Sequence, residues 1–402
     1  MTGCGRGNAA DVRADAGPPA PDADRGPILS SIGAHNRCNP AKVSSISDRQ
    51  AATSVGLVVR AALVTPLSGP LAGYGRAGAA ALELWAGWFA GRDAVKLETY
   101  DAYPDPVNAV RRAERDGFDL LFGPYGSGPA ASAAGATKHL MWNHGGARVR
   151  PAGNVVSVLA PAVRYFDGTV QVVVRADPAV RRVAVIGSGT GFARAVADGG
   201  DRAAAGLGLV VRRAALPAAR APVAELLLVA GAFREELDAA RLLLPGRRWR
   251  AAGFVGAGVE EVLAGIGNLR EGLLGPAQWL ASAAAVNPDL GPPVADFVEA
   301  FRRRSGAEPP YPAAQAFAAG LIAARCLTEA GSARSDALLV VARRLDCVTL
   351  FGRFRLDPVS GEQVGQEVLT VQWQDGARVV VWPPDRAQAP LRHPLDRARV
   401  WG

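Results

Sequence analysis

From Gly56 onward, short apolar runs alternate with longer stretches whose apolar positions recur every three or four residues, and turn-forming residues divide them. Val58 to Thr65 is a β-branched run that ends at the turn Pro66-Leu67-Ser68-Gly69-Pro70. Ala77 to Ala90 then reads as a helix with Leu82, Trp85 and Phe89 on one face. A strand over Val95 to Tyr100 is followed by a helix over Val107 to Asp116, for which Asp105 is the expected N-cap. A short strand at Asp119 to Phe122, a Gly/Pro-rich turn, a small-residue helix over Ala130 to His139 and a strand over Val155 to Leu159 complete a first β/α half.

The second half repeats the rhythm. Strands are expected at Val183 to Ile186, Leu209 to Arg212, Glu225 to Val229 and Ala251 to Val255, with helices at Phe192 to Ala205 and Arg234 to Leu244. An apolar segment, Leu273 to Leu280, precedes three helices near Pro293 to Arg304, Ala313 to Ala330 and Ser335 to Leu345. The chain closes with antiparallel strands at Gly352 to Leu356, Glu367 to Gln374 and Arg378 to Trp382, the last two joined by the hairpin signal Asp375-Gly376. This alternation predicts an α/β fold of two doubly wound, mostly parallel sheets, with ligand sites at the carboxyl ends of the strands.

The chain has 402 residues, enough for two sizeable cores, and is 49% hydrophobic and 20% charged, as an ordinary globular protein is. Its formal net charge of +8 raises nucleic acid as a partner. The arginines are dispersed, however, and several fall late in predicted helices, where they complement the helix dipole. With no basic stripe interleaved with aromatics, no nucleic-acid partner is expected. No segment reaches membrane-spanning length. Met1 to Ser54 is rich in Gly, Pro, Asp and Ala without the apolar core of a signal peptide, and reads as a disordered tail or an upstream extension of the frame. Cys4, Cys38, Cys326 and Cys347 form no metal-binding spacing, so neither metal nor cofactor is expected; a Cys326–Cys347 disulfide stays open.

The order of motifs adds a resemblance. Val64-Thr65-Pro66-Leu67-Ser68-Gly69-Pro70-Leu71-Ala72-Gly73-Tyr74-Gly75, then Tyr100-Asp101-Ala102-Tyr103-Pro104-Asp105-Pro106, then Phe122-Gly123-Pro124-Tyr125-Gly126-Ser127, resembles the first lobe of the Leu/Ile/Val-binding proteins, solute-binding subunits of ABC-type amino acid importers. The likeness runs over roughly Val58 to Trp382, including Tyr311-Pro312-Ala313-Ala314-Gln315. It implies a type I periplasmic-binding-protein fold: lobe 1 over 56–163, lobe 2 over 167–280, a return to lobe 1 over 290–346 and closing strands over 347–402. It implies an extracytoplasmic place, a permease as partner and contact with a membrane only through that permease. It implies no catalysis. It also implies an amino-acid-like ligand, docked on Ser68, Gly69, Tyr74, Tyr125, Ser127 and Ser157 of the first lobe and on Phe192 and Phe233 of the second.

Two departures bear on that ligand. Leu159-Ala160-Pro161-Ala162 stands where a further hydroxyl is usual, and Gly253 to Gly258 carries no acid for a ligand ammonium, so Glu260 or Glu261 would have to substitute. Rival readings are fewer. Gly187-Ser188-Gly189-Thr190-Gly191 follows a strand as dinucleotide-binding turns do, but Phe192 stands where the third glycine belongs. Gly126-Ser127-Gly128 lacks the flanking glycines of a nucleophile elbow, His139 and His144 read as surface residues near a helix end, and the Glu235-Glu236 and Glu260-Glu261 pairs read as solvated charges. A cytosolic ligand sensor with the same lobes is the strongest alternative.

Overall fold

The computed structural model describes residues 58–89, 95–151, 153–218, 220–246, 249–259, 263–283, 287–394 and 401. The amino-terminal stretch, Glu260 and Glu261 lie outside them.

Strands β1 (Val59–Thr65), β2 (Val95–Asp101), β3 (Leu120–Phe122), β4 (Met141–Asn143) and β5 (Val155–Ser157) form one parallel sheet in the order β2-β1-β3-β4-β5. Between them run α1 (Ala72–Phe89), α2 (Pro106–Asp116) and α3 (Ser127–Ala136). Asp105 caps α2 as expected, its carboxylate accepting from the N–H groups of Val107 and Asn108 at 3.0 Å each. Two helices begin earlier than the hydrophobic period suggests: α1 at Ala72 and α3 at Ser127. Pro129 does not block α3, since the first-turn N–H groups need no intrahelical acceptor.

The chain then crosses to a second sheet through α4 (Asp167–Ala176), which the sequence reading omits. Strands β6 (Arg182–Gly187), β7 (Val210–Ala215), β8 (Leu226–Ala230), β9 (Ala251–Phe254) and β10 (Leu274–Ala277) alternate with α5 (Gly191–Gly206) and α6 (Phe233–Leu243). Helices α7 (Val294–Ser305), α8 (Tyr311–Ala330) and α9 (Ser335–Arg344) return to the first lobe, where α8 lies along α1. A separate hairpin of β11 (Asp346–Thr349) and β12 (Gly352–Arg355) follows. Finally β13 (Leu369–Gln374) extends the second sheet antiparallel to β10, and β14 (Ala377–Trp382) pairs antiparallel with β13, giving the order β14-β13-β10-β9-β8-β6-β7. Their turn has Asp375 at φ 54° and Gly376 at φ 77°, the left-handed pair that a tight hairpin needs.

The five parallel strands of each lobe follow one topology, since β7-β6-β8-β9-β10 repeats β2-β1-β3-β4-β5. Each sheet therefore has a switch point, between β1 and β3 and between β6 and β8, where successive crossovers leave on opposite faces and open a crevice. The cores are apolar and tightly filled, with Leu63, Leu82 and Trp85 in the first lobe and Val183, Leu228 and Phe254 in the second all fully buried.

Three segments pass between the lobes, and glutamine amides join them. Gln278 Oε1 accepts from the Ala160 N–H at 3.2 Å, and its Nε2 donates to the Ala160 carbonyl at 2.9 Å and to the Tyr165 hydroxyl at 3.1 Å. Gln363 Nε2 donates to the Val158 carbonyl, and Gln366 Nε2 donates to the carbonyls of Gln278 and Phe351. All three glutamines are buried.

Two polar expectations are corrected, and one open pairing is resolved. Cys326 and Cys347 are free, buried thiols, so the disulfide left open by the sequence is not formed. His144 is fully buried, so it is not a surface residue. Glu236 is fully buried rather than solvated.

Candidate functional site

A cavity of about 440 Å³ lies between the two lobes. Its walls come from the carboxyl ends of strands in both sheets: Tyr125 to Pro129 after β3, Thr190 to Phe192 after β6 and Gly231 to Phe233 after β8. The two switch points thus face one another across a single space.

Each wall follows from local chemistry. On the first-lobe side, Gly126 at φ 97° turns the chain so that α3 opens at the cavity with Ser127 as its first residue. Ser127 Oγ accepts from the Arg148 N–H at 3.2 Å, which fixes the loop after β4 against that helix end. On the second-lobe side, Thr190 caps α5 by accepting from the Ala193 N–H at 3.2 Å. Glu236 holds the other two loops from beneath, its carboxyl oxygens accepting from Gly231 N at 3.0 Å and Gly256 N at 2.6 Å. Burial pushes the Glu236 carboxyl up to about 8.

Aromatic rings close the space. Tyr74 stacks on Tyr125 at 4.8 Å and meets Phe233 of the opposite lobe at 5.8 Å. The Tyr125 and Tyr311 hydroxyls are hydrogen-bonded to each other. Tyr165 meets Phe192 edge-on at 5.6 Å. Burial raises the Tyr165 hydroxyl to about 12 and that of Tyr311 well above the ordinary phenol, so both stay neutral donors.

Of the expected ligand contacts, Tyr125, Ser127, Phe192 and Phe233 line the cavity. Ser68, Gly69, Tyr74 and Ser157 are not among the lining residues. The Ser68 hydroxyl donates to Asp101 at 2.6 Å, a β-carbon on Gly69 would come 2.6 Å from the Tyr103 ring, and Ser157 Oγ accepts from Asn143 at 2.7 Å. Tyr74 stands behind Tyr125 and steadies it. The Gly187 to Gly191 turn supplies second-lobe wall, with Phe192 occupied by its contact to Tyr165.

The sequence reading did not select Arg148, Tyr165, Gln278, Tyr311 or Gln315, all of which line the cavity. Tyr311 and Gln315 lie one helical turn apart at the start of α8, a spacing that could have placed both on one face. Arg148 sits in a loop without motif. Its guanidinium lies against the start of α5, where a β-carbon on Gly191 would come 2.4 Å from Nη1. Among the described residues no cluster of His, Cys, Asp and Glu side chains is placed to hold a metal.

No protein-family model matches the chain, and no curated protein matches it. Solved structures match it in fold. A leucine-binding protein from Thermotoga maritima is 18% identical with a TM-score of 0.65, covering 81% of this chain and 99% of its own. A branched-chain amino acid ABC transporter periplasmic ligand-binding protein from Burkholderia xenovorans is 16% identical with a TM-score of 0.67, covering 83% and 97%. A solute-binding protein of an ABC transporter from R. palustris, in complex with benzoate, is 16% identical with a TM-score of 0.64, covering 84% and 98%. With its repeated strand order, its three crossings and a cavity at paired switch points, the chain has the two-lobed fold of the type I periplasmic binding proteins.

Proposed function

We propose that this chain is the solute-binding protein of an ABC-type importer, holding an amino acid or similar small metabolite between its lobes and presenting it to a permease. The cavity carries this reading: its lining comes from the strand ends of both lobes, so a ligand there touches both at once and favours their closed arrangement. The volume of about 440 Å³ suits a small metabolite. The solved proteins of like fold that bind leucine or benzoate support the same reading.

Thermal unfolding of the purified chain from Gly56 onward, against amino acids, amides and small carboxylates, tests it. A dose-dependent rise in Tm with one class, accompanied by a smaller radius of gyration in solution scattering, is the expected result. A flat panel at millimolar solute would overturn it.

A further inference from the structure

Charge is distributed unevenly around the cavity. Arg148 is the only charged residue among the described lining residues, and it has no ion pair among the described residues. The amino-terminal ends of three helices face the same space, and they differ. The start of α6 carries Glu235, whose carboxylate accepts from the Ala232 N–H, so its positive end is already answered by an acid. The starts of α3 and α5 carry no acid in their first turns. Arg148 belongs to both: its backbone N–H donates to Ser127 at the start of α3, and its guanidinium rests on Gly191 at the start of α5. Two unanswered helix ends and an unpaired guanidinium therefore meet at one place. Arg148 also borders an outer groove that carries Lys138 and Arg150, which gives the approach a positive field.

An independent observation points to a bound group. Gln315 is 1% exposed and lines the cavity, and its Oε1 has no hydrogen-bond partner among the described residues. A buried amide oxygen without a donor is costly, and a ligand donor group would satisfy it. One neutral acceptor suits a hydroxyl. Tyr125, Tyr165, Phe192, Phe233 and Tyr311 bring aromatic rings to the wall, which suits a flat apolar body.

Building on the solute-binding reading, we infer that the ligand is a carboxylate on a planar apolar body, carrying a hydroxyl. Arg148 with the starts of α3 and α5 meets the carboxylate, and Gln315 meets the hydroxyl.

Calorimetric titration of the chain with the three hydroxybenzoates, benzoate, the corresponding neutral amides, tyrosine and leucine tests this. One of the hydroxyl-bearing carboxylates should bind at least tenfold tighter than its amide and than leucine. Arg148→Gln should cost that carboxylate at least tenfold in Kd and leave amide binding unchanged, with Arg148→Lys recovering part of the loss. Circular dichroism of both variants should match the unsubstituted chain, separating lost recognition from lost folding. Tighter binding of leucine or of an amide, or an unaltered Kd in Arg148→Gln, would overturn the inference and leave the solute-binding reading standing. No heat with any of these compounds at millimolar concentration would overturn the inference, while the wider thermal panel decides the solute-binding reading.

Discussion

The Gln278 side-chain amide pairs with both backbone groups of Ala160, accepting from its N–H at 3.2 Å and donating to its carbonyl at 2.9 Å. A glutamine thus behaves here as one rung of a β-ladder between two segments that cross from lobe to lobe. Gln278→Leu should destabilise the chain by about 1 to 3 kcal/mol for each Ala160 group left unpaired in the interior. Urea unfolding at neutral pH measures it. A loss under about 0.5 kcal/mol, the range of an ordinary surface change, would show that water replaces the amide without penalty.

The buried titratable groups predict how stability changes with pH. Glu236, raised from 4.5 to about 8, keeps its proton in the folded chain when the unfolded chain has released it, so its contribution is complete below pH 4.5 and is lost as pH rises toward 8. His144 is lowered from 6.5 to about 4 by burial, so the unfolded chain takes up the proton first and stability is lost as pH falls from 6.5 toward 4. Each group contributes a slope of up to about 1.4 kcal/mol per pH unit. The two slopes oppose one another between pH 4.5 and 6.5, and Glu236 acts alone above that window. Denaturant unfolding should show a decline from pH 6.5 to 8 that Glu236→Gln removes. His144→Leu should extend the decline to lower pH. An equal slope in all three chains would refute both assignments.

Two glycines on α5 should respond in opposite directions. A β-carbon on Gly199 would sit 1.9 Å from the Val163 carbonyl oxygen, a backbone atom of the segment entering the second lobe. Gly206, at the end of the same helix, has nothing within 4 Å. Gly199→Ala should cost about 1 to 3 kcal/mol through overpacking. Gly206→Ala should be neutral or stabilising by up to about 1 kcal/mol. Thermal melts of the two variants side by side decide the matter.

Burial raises the Cys326 and Cys347 thiols to about 12, so neither forms the reactive thiolate near neutral pH. Ellman's reagent followed by peptide mapping should label neither site in the folded chain and both after denaturation. Labelling of Cys326 within minutes under native conditions would contradict the packing of α8.

Much of this architecture follows from short-range signals. Asp105 before a helix and Asp375-Gly376 between two strands act through their immediate neighbours, and both behave as their local chemistry dictates. Helix α4 escapes the same reading because Val170, Val172, Val173 and Val174 are strand-favouring residues, held helical by packing against α5 and the second sheet. Strand β4 is three residues long, too short for a period to register. In the cavity, the first-lobe motif leads to Tyr125 and Ser127, whereas Arg148 is one of many scattered arginines until the fold brings it to two helix ends. Glu236 reads as half of a solvated pair because helix periodicity alone does not reveal two loops resting on its carboxyl group.

The three crossings also shape how the protein is made. The first lobe awaits α8, which packs along α1 from more than 200 residues away, and the second awaits β13 and β14 near the end of the chain. Neither lobe is a contiguous stretch of sequence, so neither can be completed while most of the chain is still on the ribosome. The half-built first sheet must wait, its apolar face toward α8 uncovered, until the last third has been synthesised. The interleaving that lets two bodies share one cavity thus gives the nascent chain a long exposure to association, and a dependence on whatever shields it in the interval.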